Sequence, residues 1–329
     1  EEQVAKTPDN IAVVFEEVKL TYQEINELSN QLADYLRTSY EINPDDLVGI
    51  KLDRSEWMIV SILGILKSGG AYVPIDLEYP QERIDYIIED SQCKVVVDAE
   101  ELAKFKQEQG KYSKANQPIN LLPRNLMYCI YTSGSTGNPK GCLLEHRGLS
   151  NRLAWMQKAY GLGSSDVLLQ KTTYTFDVSV WELIWWSLHG SSISILSPGE
   201  EKSPQQIIAT IVRTSVTVMH FVPSMLGVFL EYLSAYPEHK SALSSLKQVF
   251  TSGEALLPKH ASMFKLLLPK VKLMNLYGPT EASIEVSYFD CIENNQRTII
   301  PIGKPIDNTQ LYVLDKHHQL VPYGSIGEI

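Results

Sequence analysis

Three short stretches hold the residues best suited to chemistry. In "YTSGSTGNPKG" (Tyr131–Gly141), three glycines, four serine or threonine hydroxyls and Lys140 follow directly on the apolar run "LMYCIY". A strand that delivers the chain into such a loop suits phosphate. Glycines let backbone N–H groups come close to the oxygens, hydroxyls donate further bonds, and a lysine adds a point charge. The order is not that of a P-loop, because Pro139 precedes Lys140 while Gly141 and Cys142 follow it. A flexible surface loop is the alternative. In "TFDVSVWE", Asp177 stands between Phe176 and Val178, where it could cap the apolar stretch "VSVWELIWWSL" or serve as an isolated charge. In "NLYGPTE", read alone, the Gly-Pro pair marks a turn. His146 in "LLEHRG" reads as a cap or core histidine and is assigned no chemistry.

The elements that must position these residues alternate. Thr21 and Glu24 have capping-box spacing, and Ile25, Leu28, Leu32, Tyr35 and Leu36 follow at helical intervals. "LVGIKL" and "AYVPI" read as strands around the helix "SEWMIVSILGILKSG". "PQERIDYIIEDS" is a helix entered through Pro80, and "CKVVVD" a buried strand. Such alternation predicts an α/β fold of two packed lobes with mostly parallel sheets. The polar stretch "EELAKFKQEQGKYSKANQPIN" suggests a surface excursion and a lobe boundary. We therefore expect lobes at about 1–120 and 121–285. A β-rich segment over 286–329 would resemble a small barrel or meander. Trp181 reads as pocket wall, and Trp185 and Trp186 as helix packing.

A net charge of −10 over 329 residues argues against a nucleic-acid-binding face. The four cysteines are scattered without a CxxC pair, which fits free thiols in a reducing compartment and no metal-site spacing. The nearest approach to a membrane span, "MIVSILGILKSGGAYVPI", is broken by Lys67 and Gly69-Gly70. The acidic start "EEQVAKTPDN" has no apolar centre, unlike a signal peptide. The expectation is a cytoplasmic protein without membrane or nucleic-acid partners.

The order of residues in "YTSGSTGNPKG" resembles the phosphate loop of the adenylate-forming superfamily. "LTYQEINELSNQLADYL" and "LKSGGAYVPID" before it, and "FDVSVWE", "NLYGPTE" and "GKPIDN" after it, resemble the adenylation domains of nonribosomal peptide synthetases. "GSIGEI" resembles the start of a further motif of that family. The resemblance covers essentially the whole chain, as the large N-terminal core of such a domain. The family continues with an aspartate that holds the ribose and a mobile C-terminal subdomain carrying a lysine. The chain ends at "SIGEI", before these, and is expected to be poorly active alone.

The resemblance implies ATP-dependent formation of an aminoacyl-adenylate with Mg²⁺, and transfer to the phosphopantetheine thiol of a carrier protein. Condensation domains would be partners, with a small MbtH-like activator a further candidate. It assigns Thr132, Ser133, Gly134, Ser135, Thr136, Gly137 and Lys140 to the β- and γ-phosphates, and Gly278 to the same nucleotide site. Tyr277 would stack on adenine, Asn275 bond its edge, Thr280 contact the α-phosphate and Glu281 hold Mg²⁺. Asp177 would pair with the substrate α-ammonium, which acyl- and aryl-CoA ligases have no need to bind. A non-catalytic binding module is the third reading, and intact Lys140, Thr280 and Glu281 speak against it.

The pocket positions implied are Asp177, Val178, Trp181, His220, Phe250, Ser252, Leu276, Ile284 and Glu285. Trp181 and Phe250 are bulky, Val178, Leu276 and Ile284 are apolar, and His220, Ser252 and Glu285 are polar groups that would need a partner if buried. The set resembles serine-activating pockets, except that Glu285 stands where aspartate is usual. L-serine is the expected substrate. Glu285 keeps a short cationic side chain, such as 2,3-diaminopropionate, in contention.

Overall fold

The structure, a computed structural model, describes residues 1–132, 138–291 and 298–329. Fourteen strands are defined among them: β1 (Ile11–Phe15), β2 (Val18–Thr21), β3 (Leu47–Ile50), β4 (Ala71–Pro74), β5 (Val96–Val97), β6 (Leu126–Thr132), β7 (Lys140–Glu145), β8 (Val167–Gln170), β9 (Ser192–Ile195), β10 (Val218–Phe221), β11 (Gln248–Thr251), β12 (Lys272–Tyr277), β13 (Ser287–Asp290) and β14 (Lys304–Pro305). They form a nine-stranded sheet in the order β14-β13-β12-β11-β10-β8-β9-β1-β2 and a five-stranded sheet in the order β5-β3-β4-β6-β7. From β12 across to β1 the large sheet is parallel, as is β5-β3-β4-β6 in the small one, and antiparallel pairs stand at the margins. This is the mixed, mostly parallel α/β architecture expected.

Local signals are realised closely. Thr21 caps the helix Tyr22–Tyr40 in a complete capping box, and Ser55 caps Glu56–Ser68, which ends on Gly69 at φ 100°. Sheet membership divides the chain differently from the expected lobes. The β1-β2 hairpin joins the large sheet by parallel pairing of β1 with β9, while β6 and β7 complete the small sheet. Pairing between strands some 180 residues apart leaves no local trace in sequence. After residue 285, β13 and β14 extend the large sheet, and beyond them Leu314 bridges Leu320 and Glu328.

The polar stretch after β5 is not an excursion. Asp98 caps a helix over Ala99–Glu108, whose Leu102 and Phe105 are buried. Phe105 meets the rings of Tyr35, Trp57 and Tyr112. Two apolar residues three apart suffice there, because aromatic partners from other elements complete their burial.

Candidate functional site

The parallel strands β8, β10, β11 and β12 end on one edge of the large sheet, where open α/β sheets bind ligands. His220 on β10 lies beside Phe250 on β11, and Ser252 follows β11 directly. Trp181 comes from the apolar helix Ser179–His189, with its ring centroid 5.3 Å from Phe250 and 6.2 Å from His220. Val178, Leu276 and Ile284 are buried in the same core. Trp185 and Trp186 bond within the protein, to Gln157 and the Leu183 carbonyl, which fits packing roles.

Glu285 is brought in by an unusual piece of chain. After β12, Ser283 and Ile284 take φ values of 64° and 78°, a region that costs a β-branched residue strain. Gly278 permits this turn, since a Cβ there would stand 2.5 Å from Glu285 Cα and 2.6 Å from the Ile284 carbonyl oxygen.

The polar pocket residues form a connected chain. Arg152 Nη2 donates to Glu285 Oε2 at 2.8 Å, with both side chains 1% exposed. Ser252 Oγ donates to Glu285 Oε1 at 2.9 Å and stands 3.0 Å from His220 Nε2. Thr172 Oγ1 donates to Glu182 Oε1 at 2.6 Å and lies 3.4 Å from His220 Nδ1. Burial holds His220 well below its usual pKa, so it carries one proton. The serine and threonine protons are committed to carboxylates, so either hydroxyl could only accept from the ring, and the shorter separation, 3.0 against 3.4 Å, places the proton on Nε2, donating to Ser252. His220, Ser252 and Glu285, which need partners when buried, find them in one another without a ligand, and Arg152 closes the chain. Trp181 Nε1 is buried without a hydrogen-bond partner.

Sequence reasoning missed Arg152, Thr172 and Glu182. A signal for the first existed: on the helix His146–Tyr160, Arg152 shares the buried stripe of Leu149, Leu153 and Met156. Its guanidinium lies 4.8 Å from the Trp155 ring centre.

Asp177 is not a helix cap. The helix starts at Ser179 with Val178 at the cap position and no side-chain cap bond. Its carboxyl lies near Thr280 and the Val178 backbone, is 4% exposed, and has no ion-pair partner among the described residues. Burial, then the nearby charge of Glu285, pushes it up to about 7. A buried carboxylate without a cation marks a place for one.

Thr280 and Glu281 sit on a short turn, Thr280–Ala282, that packs against β7. On β7, Lys140 and Cys142 share a face, and Cys142 senses the charges of Glu281 and Asp177. Lys140 pairs in register with Thr132, so both flank the expected phosphate loop. Ser133, Gly134, Ser135, Thr136 and Gly137 lie outside the described residues. Tyr277 is 42% exposed at the end of β12. Asn275 Nδ2 donates to the Pro301 carbonyl at 2.9 Å, so part of its bonding capacity is used internally. Among the described residues no cluster of three metal-ligating side chains exists. Glu281 alone fits a Mg²⁺ ion held by one carboxylate plus phosphate oxygens.

This mixed, mostly parallel α/β core matches the N-terminal core of adenylate-forming enzymes. The whole chain, residues 1–329, matches the family described as AMP-binding enzyme. The chain belongs to that family, as the N-terminal core portion of a nonribosomal-peptide-synthetase-type adenylation domain. Over its full length it is 48% identical to zwittermicin A synthase ZmaJ of Bacillus cereus, of which it covers 65%. It is 41% identical to tyrocidine synthase 3 of Brevibacillus parabrevis, of which it covers 5%. The chain thus spans less than two thirds of these relatives. Among solved structures, the α-methyl-L-serine-AMP-bound form of the nonribosomal peptide synthetase FmoA3 matches with a TM-score of 0.90 at 25% identity, over 98% of this chain and 37% of that one. The N-terminal subdomain of Klebsiella oxytoca NpsA with 3-hydroxybenzoyl-AMSN matches at 0.86 and 25%, over 99% and 84%. No helix among the described residues is long and apolar enough to cross a membrane.

Proposed function

We propose that this chain is the core of a domain that converts L-serine and ATP to seryl-AMP and pyrophosphate, for transfer to a carrier-protein phosphopantetheine thiol. The observation that carries the amino-acid reading is Asp177, a buried carboxylate with no cation of its own among the described residues. An α-ammonium would supply that cation. An aryl or fatty acid would not, which disfavours a CoA-ligase reading despite the shared fold of NpsA. With the ammonium held there, the substrate carboxylate attacks the α-phosphorus and the bond to pyrophosphate breaks. Thr280, beside Asp177, would link the ammonium site to the α-phosphate side, and Lys140 and Thr132 would flank the leaving phosphates. The protein mainly positions groups and offsets charge. Tyr277 would stack on adenine, with Gly278 and Asn275 beside it. Mg²⁺ bound at Glu281 would neutralise phosphate charge.

Serine is supported by what the pocket has left over. Trp181, His220, Phe250, Ser252 and Glu285 are each at most 1% exposed, so they would press closely on a substrate side chain and favour a short one. Trp181 Nε1 lacks an acceptor, and Glu285 retains unused lone pairs. A hydroxyl both accepts and donates, so it answers both. FmoA3, bound to α-methyl-L-serine-AMP, is a neighbour with the same core.

The test is amino-acid-dependent ATP–pyrophosphate exchange by the full-length enzyme that carries this chain. Serine should exceed alanine and threonine by roughly 10- to 100-fold, through lost hydrogen bonds and added bulk respectively. Preference for a large aromatic or aliphatic amino acid would overturn the pocket reading. Glu281→Gln should lower the exchange rate about tenfold, more at limiting Mg²⁺, and Lys140→Ala should act more mildly because its loop shares contacts among several donors. Wild-type rates from both variants at limiting Mg²⁺ and ATP would remove the nucleotide-site assignment.

A further inference from the structure

Two of the buried carboxylates, Asp177 and Glu285, stand close enough for the charge of one to disturb the other, and of the two only Asp177 lacks a counter-ion. Glu285 is held by Arg152 at 2.8 Å, and each side chain is 1% exposed. The arginine comes from the middle of a helix that supplies no other polar pocket contact, and its Nε and Nη1 have no hydrogen-bond partner. A guanidinium desolvated so completely, with one bond of five made, costs stability that a hydrophobic residue would not. A purely structural tie would be expected to satisfy more of those donors. What the pair does achieve is electrical. With Arg152 present, Glu285 presents a neutralised carboxylate, still able to accept a hydrogen bond but with no net demand for a cation. Of these two carboxylates, Asp177 alone is then left without a counter-ion.

We propose that Arg152 sets the charge this pocket accepts. By neutralising Glu285, it admits an amino acid whose only cation is its α-ammonium and whose side chain is a neutral hydrogen-bonding group, and it excludes a short cationic side chain. The proposal rests on the amino-acid-activating reading of the site. It resolves the ambiguity that Glu285 raises in sequence, between serine and 2,3-diaminopropionate. Arg152 is a positioning residue, since it acts through Glu285. Removing it would leave Glu285 to find its counter-charge in the substrate. Removing the charge of Glu285 would leave Arg152 to do the same with the opposite sign.

The experiment compares kcat/KM in exchange for serine, 2,3-diaminopropionate, aspartate and asparagine, using full-length wild type, Arg152→Gln, Arg152→Lys and Glu285→Gln. Wild type should favour serine over diaminopropionate by about 100-fold, as expected for an uncompensated second cation in a closed site. Arg152→Gln should raise the diaminopropionate-to-serine ratio by at least about 30-fold, with the change in the amino-acid KM rather than in kcat. Arg152→Lys should restore the wild-type ratio. Glu285→Gln should raise the aspartate-to-asparagine ratio instead, and it provides the reading should Arg152→Gln fail to fold. A folded Arg152→Gln with an unchanged ratio, or a folded Glu285→Gln with an unchanged aspartate-to-asparagine ratio, would show that the pair is only a structural tie. A wild type that prefers diaminopropionate would overturn both this proposal and serine. A wild type that prefers a different neutral amino acid would overturn serine alone, and the charged-to-neutral isostere ratios would still report on Arg152.

Discussion

Replacing Asp177 with alanine is expected to reduce amino-acid-dependent exchange by roughly 100- to 1,000-fold, because removing one partner of a desolvated charge pair costs about 3–4 kcal/mol. Asp177→Asn should recover part of this, since an amide oxygen can still accept from the ammonium. Titration supports a second readout. In the free protein the carboxyl is pushed up to about 7, so below that pH it is protonated and unable to pair. The amino-acid KM should therefore rise as pH falls below 7, approaching tenfold per unit. The effect on folding has the opposite direction. The folded pKa lies above the ordinary 3.8, so the neutral carboxyl contributes stability at low pH that is lost as pH rises from about 4 through about 7. The melting temperature of ligand-free wild type, compared with Asp177→Asn, should fall across that window and be regained on adding the amino acid and ATP. Wild-type exchange from Asp177→Ala, or a flat pH profile for KM, would refute the ammonium assignment.

Gly278→Ala should be the most damaging single-methyl change in the site. The added Cβ would meet Glu285 Cα at 2.5 Å, the Ile284 carbonyl oxygen at 2.6 Å and the Val286 nitrogen at 2.8 Å. All three are backbone atoms, which no rotamer change can clear. The chain over 283–285 is already strained by positive φ at Ser283 and Ile284, so it has little room to give. Overpacking of this kind costs about 3 kcal/mol, which for a chain of this size lowers the melting temperature by roughly 4 °C. Displacing Glu285 also breaks its bonds to Ser252 and Arg152, so activity should drop at least tenfold beyond the loss of folded protein. Gly110→Ala, where a Cβ meets nothing within 4 Å, is the control and should behave as wild type. Equal melting temperatures for the two variants would show that the close approach is not real.

The sequence alone was sufficient for features that depend on neighbours along the chain. The capping box at Thr21 and Glu24 and the entry through Pro80 are set within a few residues, and the structure shows a helix at each. The order of motifs was also legible, because such runs leave few alternatives, and with them the family and the α/β class. The helix Ala99–Glu108 was not, since Phe105 is buried only by rings brought from Tyr35, Trp57 and Tyr112. Nor was the joining of β1 to β9. The largest gap concerns charge. In sequence, Glu285 and Asp177 are two acidic residues of one pocket, each a candidate for a cation. Which of them is already neutralised depends on Arg152, 133 residues from Glu285 and carried by a different layer of the fold. Coulomb energy follows distance in space and the local dielectric, not separation along the chain. Folding therefore decides that Glu285 has its cation and that Asp177 is the carboxylate left waiting for one.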